Sequence, residues 1–191
     1  MAFGLYQDEE MTTPATSLSF VFNQENNTAS GVLYFGSPDT TVALQTVTNQ
    51  GVDNVELRPI VALGQPERNA ALSLGQCFIV NNIVFQVATA GETAATIPSY
   101  PSSVGGVATD GTAVLNAIYP AHAPNEIKLA LSEQGLDNAT AGGALQLGNT
   151  IQGGAAIAIY YSITNGVSQV SDTGAYANLC IALNDCVEVA L

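Results

Sequence analysis

The chain has 191 residues, 47% of them hydrophobic, enough apolar side chain to fill one large domain or two small ones, which excludes a disordered chain. Only 10% are charged, and 16 acids against three bases give a net charge of -13. Arg58, Arg68 and Lys128 cannot line a phosphate backbone or an anionic bilayer, so neither nucleic acid nor a membrane is an expected partner.

Residues 1–17, MAFGLYQDEEMTTPATS, join an apolar start to an acidic cluster and a Pro-Thr stretch, and read as an extended arm. Phe3, Leu5 and Tyr6 gain nothing on a free tail, so they are expected to dock on a neighbouring subunit. The start lacks the basic and apolar segments of a signal peptide, and no apolar run is long enough to cross a membrane as a helix. The expectation is a protein made and kept in a cytoplasm.

Residues 18–90 form a first β module. LSFVF at 18–22 and VLYF at 32–35 flank a polar turn and read as a hairpin, and TVALQTV at 41–47 alternates. TNQGVDN then supplies turn chemistry before a strand at 55–61, since Asp53 and Asn54 can bond their own backbone. CFIV and IVFQVAT flank Asn81-Asn82, a pair that tolerates the left-handed conformation of a two-residue hairpin.

Residues 91–113 are small, polar and broken by Pro98 and Pro101, and read as a linker or long crossover. Residues 114–191 make a second module or the remainder of one sandwich. VLNAIYP is a strand or a helical turn, and APNEIKLALSEQ leaves a short helix open. IAIYYSIT alternates, with Ile157, Ile159, Tyr161 and Ile163 on one face and Ala158, Tyr160 and Ser162 on the other. Two final strands surround Asn184-Asp185. A faint repeat, NQGVDN to LSLG to FQVAT against EQGLDN to LQLG to YYSIT, raises the alternative of a duplicated module.

Catalytic parts are scarce. The single histidine, His122, lies between prolines with no GxSxG elbow, and reads as a surface or interface residue. Phosphate-binding glycine loops are absent, and the many carboxylates define no particular pair. No cofactor is expected beyond a structural calcium. For that ion the loops around Asp53, Asp110 and Asp137 place carboxylates beside hydroxyl, amide and carbonyl oxygens, although Asx turns explain the same residues. Cys180 and Cys186 could pair across a C-terminal hairpin in an oxidising medium, and otherwise all three cysteines read as buried thiols.

VALQTVTNQGVDNVELRPI followed by AALSLGQCFIVNNIVFQV resembles bacterial Ig-like sandwich modules of surface and virion proteins. The resemblance implies a platform for adhesion or assembly, with no shared active site. With the scarcity of lysine and the signal-free start, the whole is similar in style to the decoration, or cement, proteins of tailed-phage heads. The expected fold is therefore all-β, an Ig-like or jelly-roll-like antiparallel sandwich of one or two modules. The expected function is structural and non-enzymatic: a homo-oligomer, as a trimer, that clamps the major capsid protein or another lattice subunit in a virion. The competing expectation is a calcium-assisted carbohydrate or receptor binder on a tail or cell surface.

Overall fold

The computed structural model describes residues 2–20, 22, 27–166 and 179–191. The described chain is almost entirely β, arranged in several antiparallel sheets, as the alternation and turn chemistry require. It divides into two compact units. Unit 1 comprises Met1–Ile60, Pro124–Asn165 and Cys180–Leu191, and unit 2 comprises Val61–Ala123 and Gly166–Leu179. In chain order unit 2 is an excursion from unit 1, so this division does not coincide with a break at 91–113.

Unit 1 contains β1 (Gly4–Tyr6), β2 (Thr28–Gly36), β3 (Val42–Thr46) and β4 (Val55–Val61), the last ending at the unit boundary. After the excursion come β11 (Ile127–Ala130), β12 (Leu145–Gly148), β13 (Ile151–Gln152), β14 (Ile157–Thr164), β15 (Leu179–Leu183) and β16 (Cys186–Ala190). One sheet has the order β1-β2-β14-β11, a second β12-β4-β15 and a third β13-β3-β16. The alternation of IAIYYSIT is realised: Ile159 and Tyr161 are buried, and β14 runs antiparallel to β2 from Ile157↔Phe35 to Thr164↔Thr28. That register sets Tyr161 opposite Gly31, where an added Cβ would come within 2.5 Å of the tyrosine hydroxyl. Glycine leaves the space the ring occupies, and burial pushes the Tyr161 phenol up.

Three expectations fail here, each because a distant strand offers the better partner. LSFVF is no strand at its described positions. β2 pairs with β1 and β14 instead, and Phe20 stacks edge-on against Tyr161 with ring centroids 5.9 Å apart. The N-terminal segment is not a free arm: β1 joins the sheet through Gly4↔Gly36, Leu5↔Phe35 and Tyr6↔Tyr34. Phe3 is 5% exposed and packs on Phe35; its N–H donates to Glu188 Oε1 at 3.2 Å, and the Ala2 N–H donates to the same oxygen. Asp8 closes the following turn by accepting from the Thr12 and Thr13 N–H groups at 2.8 and 2.7 Å. The last two strands exist on either side of Asn184-Asp185 but form no hairpin, because β15 adds to the sheet of β4 while β16 pairs with β3.

Unit 2 contains β5 (Ala71–Leu72), β6 (Cys77–Val80), β7 (Ile83–Thr89), β8 (Gly91–Glu92), β9 (Val107–Asp110) and β10 (Ala113–Pro120). A four-stranded sheet has the order β6-β7-β10-β9, beside the β5-β8 pair. The β6–β7 hairpin turns at Asn81 and Asn82 with φ of 53° and 59°, the doubly left-handed turn that their side chains tolerate. β9 and β10 turn at Gly111-Thr112, where Gly111 has φ 65° and an added Cβ would strike the Glu92 carbonyl. Residues 91–113 thus hold two strands, and VLNAIYP lies in a third. Phe78, Phe85, Val87, Tyr100 and Leu115 fill the core, with Phe85 and Tyr100 edge to face at 5.1 Å.

The faint repeat has no counterpart in the pairing. NQGVDN makes the turn before β4, whereas EQGLDN winds into the 3-10 turn Gln134–Asp137. FQVAT belongs to a hairpin, whereas YYSIT lies between β2 and β11.

Two substitutions check these assignments. Phe3→Ala is expected to cost about 3–5 kcal/mol in a urea titration, as for other buried phenylalanines. Asn82→Val, forced into the left-handed region, is expected to cost about 1–2 kcal/mol, whereas Asn82→Gly should be nearly neutral.

Candidate functional site

The outward face of the β1-β2-β14-β11 sheet holds a shallow concavity in unit 1. Alternation sends Thr28 and Ser30 of β2, Ser162 and Thr164 of β14 and Lys128 of β11 to that face, opposite the buried Leu33, Ile159 and Leu129. Ladder register then makes them neighbours: Ser30↔Ser162↔Lys128 is one row across three strands, and Thr28↔Thr164 is the next. The 3-10 turn adds Leu136 and Asp137, and Glu133 precedes it. Together these eight residues line an open, shallow pocket of about 330 Å³. Lys128 Nζ donates to the Leu136 carbonyl at 3.3 Å, tying strand to turn. Arg58 pairs with Glu56 and Arg68 with Asp110, whereas the Lys128 ammonium faces the pocket with no ion-pair partner among the described residues. The lining therefore presents an ammonium that donates, two carboxylates that accept and four hydroxyls that do both.

A second polar cluster is buried in unit 2. Asp110 is 0% exposed. Its carboxylate accepts from the Tyr100 hydroxyl at 2.5 Å, from the Ala94 N–H at 2.8 Å and from Arg68 Nη1 at 3.0 and 2.8 Å. Burial opposes ionisation of Asp110, but the Tyr100 hydroxyl, the Ala94 N–H and the Arg68 guanidinium outweigh it and hold the carboxyl below the usual range. Burial, with the bond to the carboxylate, pushes Tyr100 up to about 12. Thr93 extends the cluster, donating to the Glu67 carbonyl at 2.6 Å and accepting from the Ala70 N–H at 3.0 Å. Both Asp110 oxygens, the Tyr100 hydroxyl and both Arg68 Nη atoms have protein partners, which makes the cluster a structural tie.

The three aspartates read as calcium ligands thus have different surroundings. Asp110 is spent on Arg68 and Tyr100, exposed Asp53 accepts from Asn49 Nδ2 at 2.7 Å within its own turn, and Asp137 lines the pocket of unit 1. No group of three or more His, Cys, Asp or Glu is placed to hold a metal among the described residues. Cys180 and Cys186 are free thiols on strands of different sheets, so the disulfide of the expected hairpin is not formed, and Cys186 Sγ instead donates to Asn184 Oδ1 at 3.2 Å. Leu5 and Tyr6 are half-buried on β1, beside the buried Phe3. His122 is half-buried just before the 3-10 turn Pro124–Glu126. Sequence reasoning set Ser162 on the face opposite Ile159 and Tyr161 but did not find the pocket, because nothing local reveals that Ser30 and Lys128 are its cross-strand neighbours.

The buried cluster fixes a pH response. A lowered carboxyl pKa stabilises the fold above the ordinary aspartate value of about 3.9 and loses that contribution as pH falls below it. A raised phenol pKa does the reverse, stabilising below about 10 and losing the contribution as pH rises toward about 12. Chemical denaturation of the wild type is expected to show a plateau between these limits. Asp110→Ala, which strands Arg68 and Tyr100, should lower it by about 3 kcal/mol or more and flatten its acid edge.

Comparison with family models, with curated proteins and with solved structures gives no match for this chain.

Proposed function

We propose that this chain is a non-enzymatic structural protein, a symmetric homo-oligomer that clamps neighbouring subunits of a protein lattice, as a decoration protein does on the capsid of a virion. The observation that carries the reading is the composition of the sheet edges. Exposed strand edges invite pairing, and soluble proteins commonly guard them with lysine or proline. Residues 13–15 cover the outer edge of β1 and Gly64 that of β6, but the edge strands β5, β8, β9, β12, β13, β15 and β16 carry neither, and among edge strands only β11 has a base, Lys128. Edges so composed suit burial against other subunits. Val107 on β9 is 59% exposed, and Val47, Val52 and Leu131 are also exposed.

A trimer is the assembly proposed, with the major capsid protein or an equivalent lattice subunit as partner and the virion as location. Symmetry repeats each weak, uncharged contact, so avidity multiplies a modest affinity. The net charge of -13 suits a basic patch on the lattice partner.

Light scattering tests this reading. The expected mass is a fixed multiple of 19.6 kDa, three for the trimer, the same at low and high salt because uncharged contacts are not screened. A monomer at every concentration would overturn it.

A further inference from the structure

We infer that the pocket on the outward face of unit 1 is a saccharide subsite, binding one neutral pyranose-sized ring through Ser30, Ser162, Thr164, Lys128, Glu133 and Asp137. This does not rest on the assembly reading, and it needs no metal ion.

The volume sets the scale of the ligand. About 330 Å³ is near the lower end of small-molecule pockets, which run from roughly 300 Å³ upward, so it suits one small ring and not a folded peptide or a nucleotide. The lining sets the chemistry. Each hydroxyl of a sugar both donates and accepts, and it is met by side chains that donate only (Lys128), accept only (Glu133, Asp137) or do either (Ser30, Ser162, Thr164). Anionic ligands such as phosphate meet two carboxylates against one ammonium. A metal cation has only two carboxylates, beside a competing positive charge. A neutral polyol satisfies the ammonium and the carboxylates together without leaving a net charge to compensate.

Placement supports the same ligand. Ser30, Ser162 and Lys128 sit on paired strands, so ladder hydrogen bonds fix their spacing before any ligand arrives. The Lys128 ammonium is further held by the Leu136 carbonyl. Half-exposed Tyr160 lies two residues from Ser162 on the same face, opposite Val32 in the neighbouring row, and Tyr34 lies one row further on. Neither ring lines the pocket itself, but Tyr160 is on the row next to it and offers an apolar surface to the part of a larger saccharide that extends beyond the bound ring.

The test is a titration of the isotopically labelled full chain with the methyl glycosides of glucose, galactose and mannose, in the presence of EDTA and followed by amide NMR. The expected result is saturable shifts for at least one sugar at millimolar concentration, confined to β2, β11, β14 and residues 133–137. Ser162→Ala and Lys128→Met, each checked to retain the wild-type dispersion elsewhere, should weaken binding by about tenfold or more. The inference is overturned if no glycoside shifts these amides, or if both variants bind as the wild type does. It is equally overturned if inorganic phosphate, methylammonium or, in a parallel titration without EDTA, Ca²⁺ occupies the pocket in preference to every sugar.

Discussion

Unit 1 depends on the interlock of two chain reversals that lie far apart in sequence. The turn between β15 and β16 meets the connection between β3 and β4. Asn184 Oδ1 accepts from the Glu56 N–H at 2.9 Å, Asn184 Nδ2 donates to the Asn54 carbonyl at 3.0 Å, and the Asn184 N–H donates to the Glu56 carbonyl at 3.1 Å. One residue along, the Asp185 carbonyl accepts from the Val47 N–H at 2.9 Å. At this point the chain passes from one sheet to another twice, from β3 to β4 and from β15 to β16, and each crossing leaves backbone groups that ladder bonds cannot satisfy. An amide side chain, which both donates and accepts, satisfies the groups of the other crossing. Burying them unpaired would cost about 1–3 kcal/mol each.

This interlock explains why the last strands do not fold back on each other. A local hairpin would close a short loop cheaply, yet it would leave β3 and β4 without their outer neighbours. The fold instead accepts long loop closures: β16 joins β3 across most of the chain, β14 joins β2, and Glu188 caps the Ala2 and Phe3 N–H groups. Contacts of such sequence separation make slow folding the natural expectation. They also place the two ends of unit 1 together, leaving residues between β4 and β11 free to form a unit of their own.

In unit 2 the corresponding tie is electrostatic. A chain with three bases commits Arg68 to a fully buried aspartate. The pair is sustained because Tyr100 and the Ala94 N–H supply the hydrogen bonds that burial removes from water. Tyr100 also packs its ring on Phe85, so one residue joins the polar tie to the apolar core. The segment that sequence composition marks as loose is therefore held at Asp110 and Tyr100, and its prolines and glycines shape a connection that the cluster anchors.

By itself, the sequence determined the class of the fold and its local turns. Period-two alternation separated the two faces of β14, with Ser162 opposite Ile159 and Tyr161, and the Asn81-Asn82 pair specified the β6–β7 hairpin, because strand pleat and left-handed turns are set by residues adjacent in the chain. Composition likewise left the edge strands almost without basic side chains. Only the tertiary structure decided which strands are partners. It put Ser30, Ser162 and Lys128 in one row, turned Asp110 from a loop carboxylate into a buried counter-ion, drew Phe3 into the core and separated Cys180 from Cys186 onto different sheets. The physical reason is that register and sheet order are chosen by packing among residues tens to more than a hundred positions apart, and no local pattern of side chains encodes that choice.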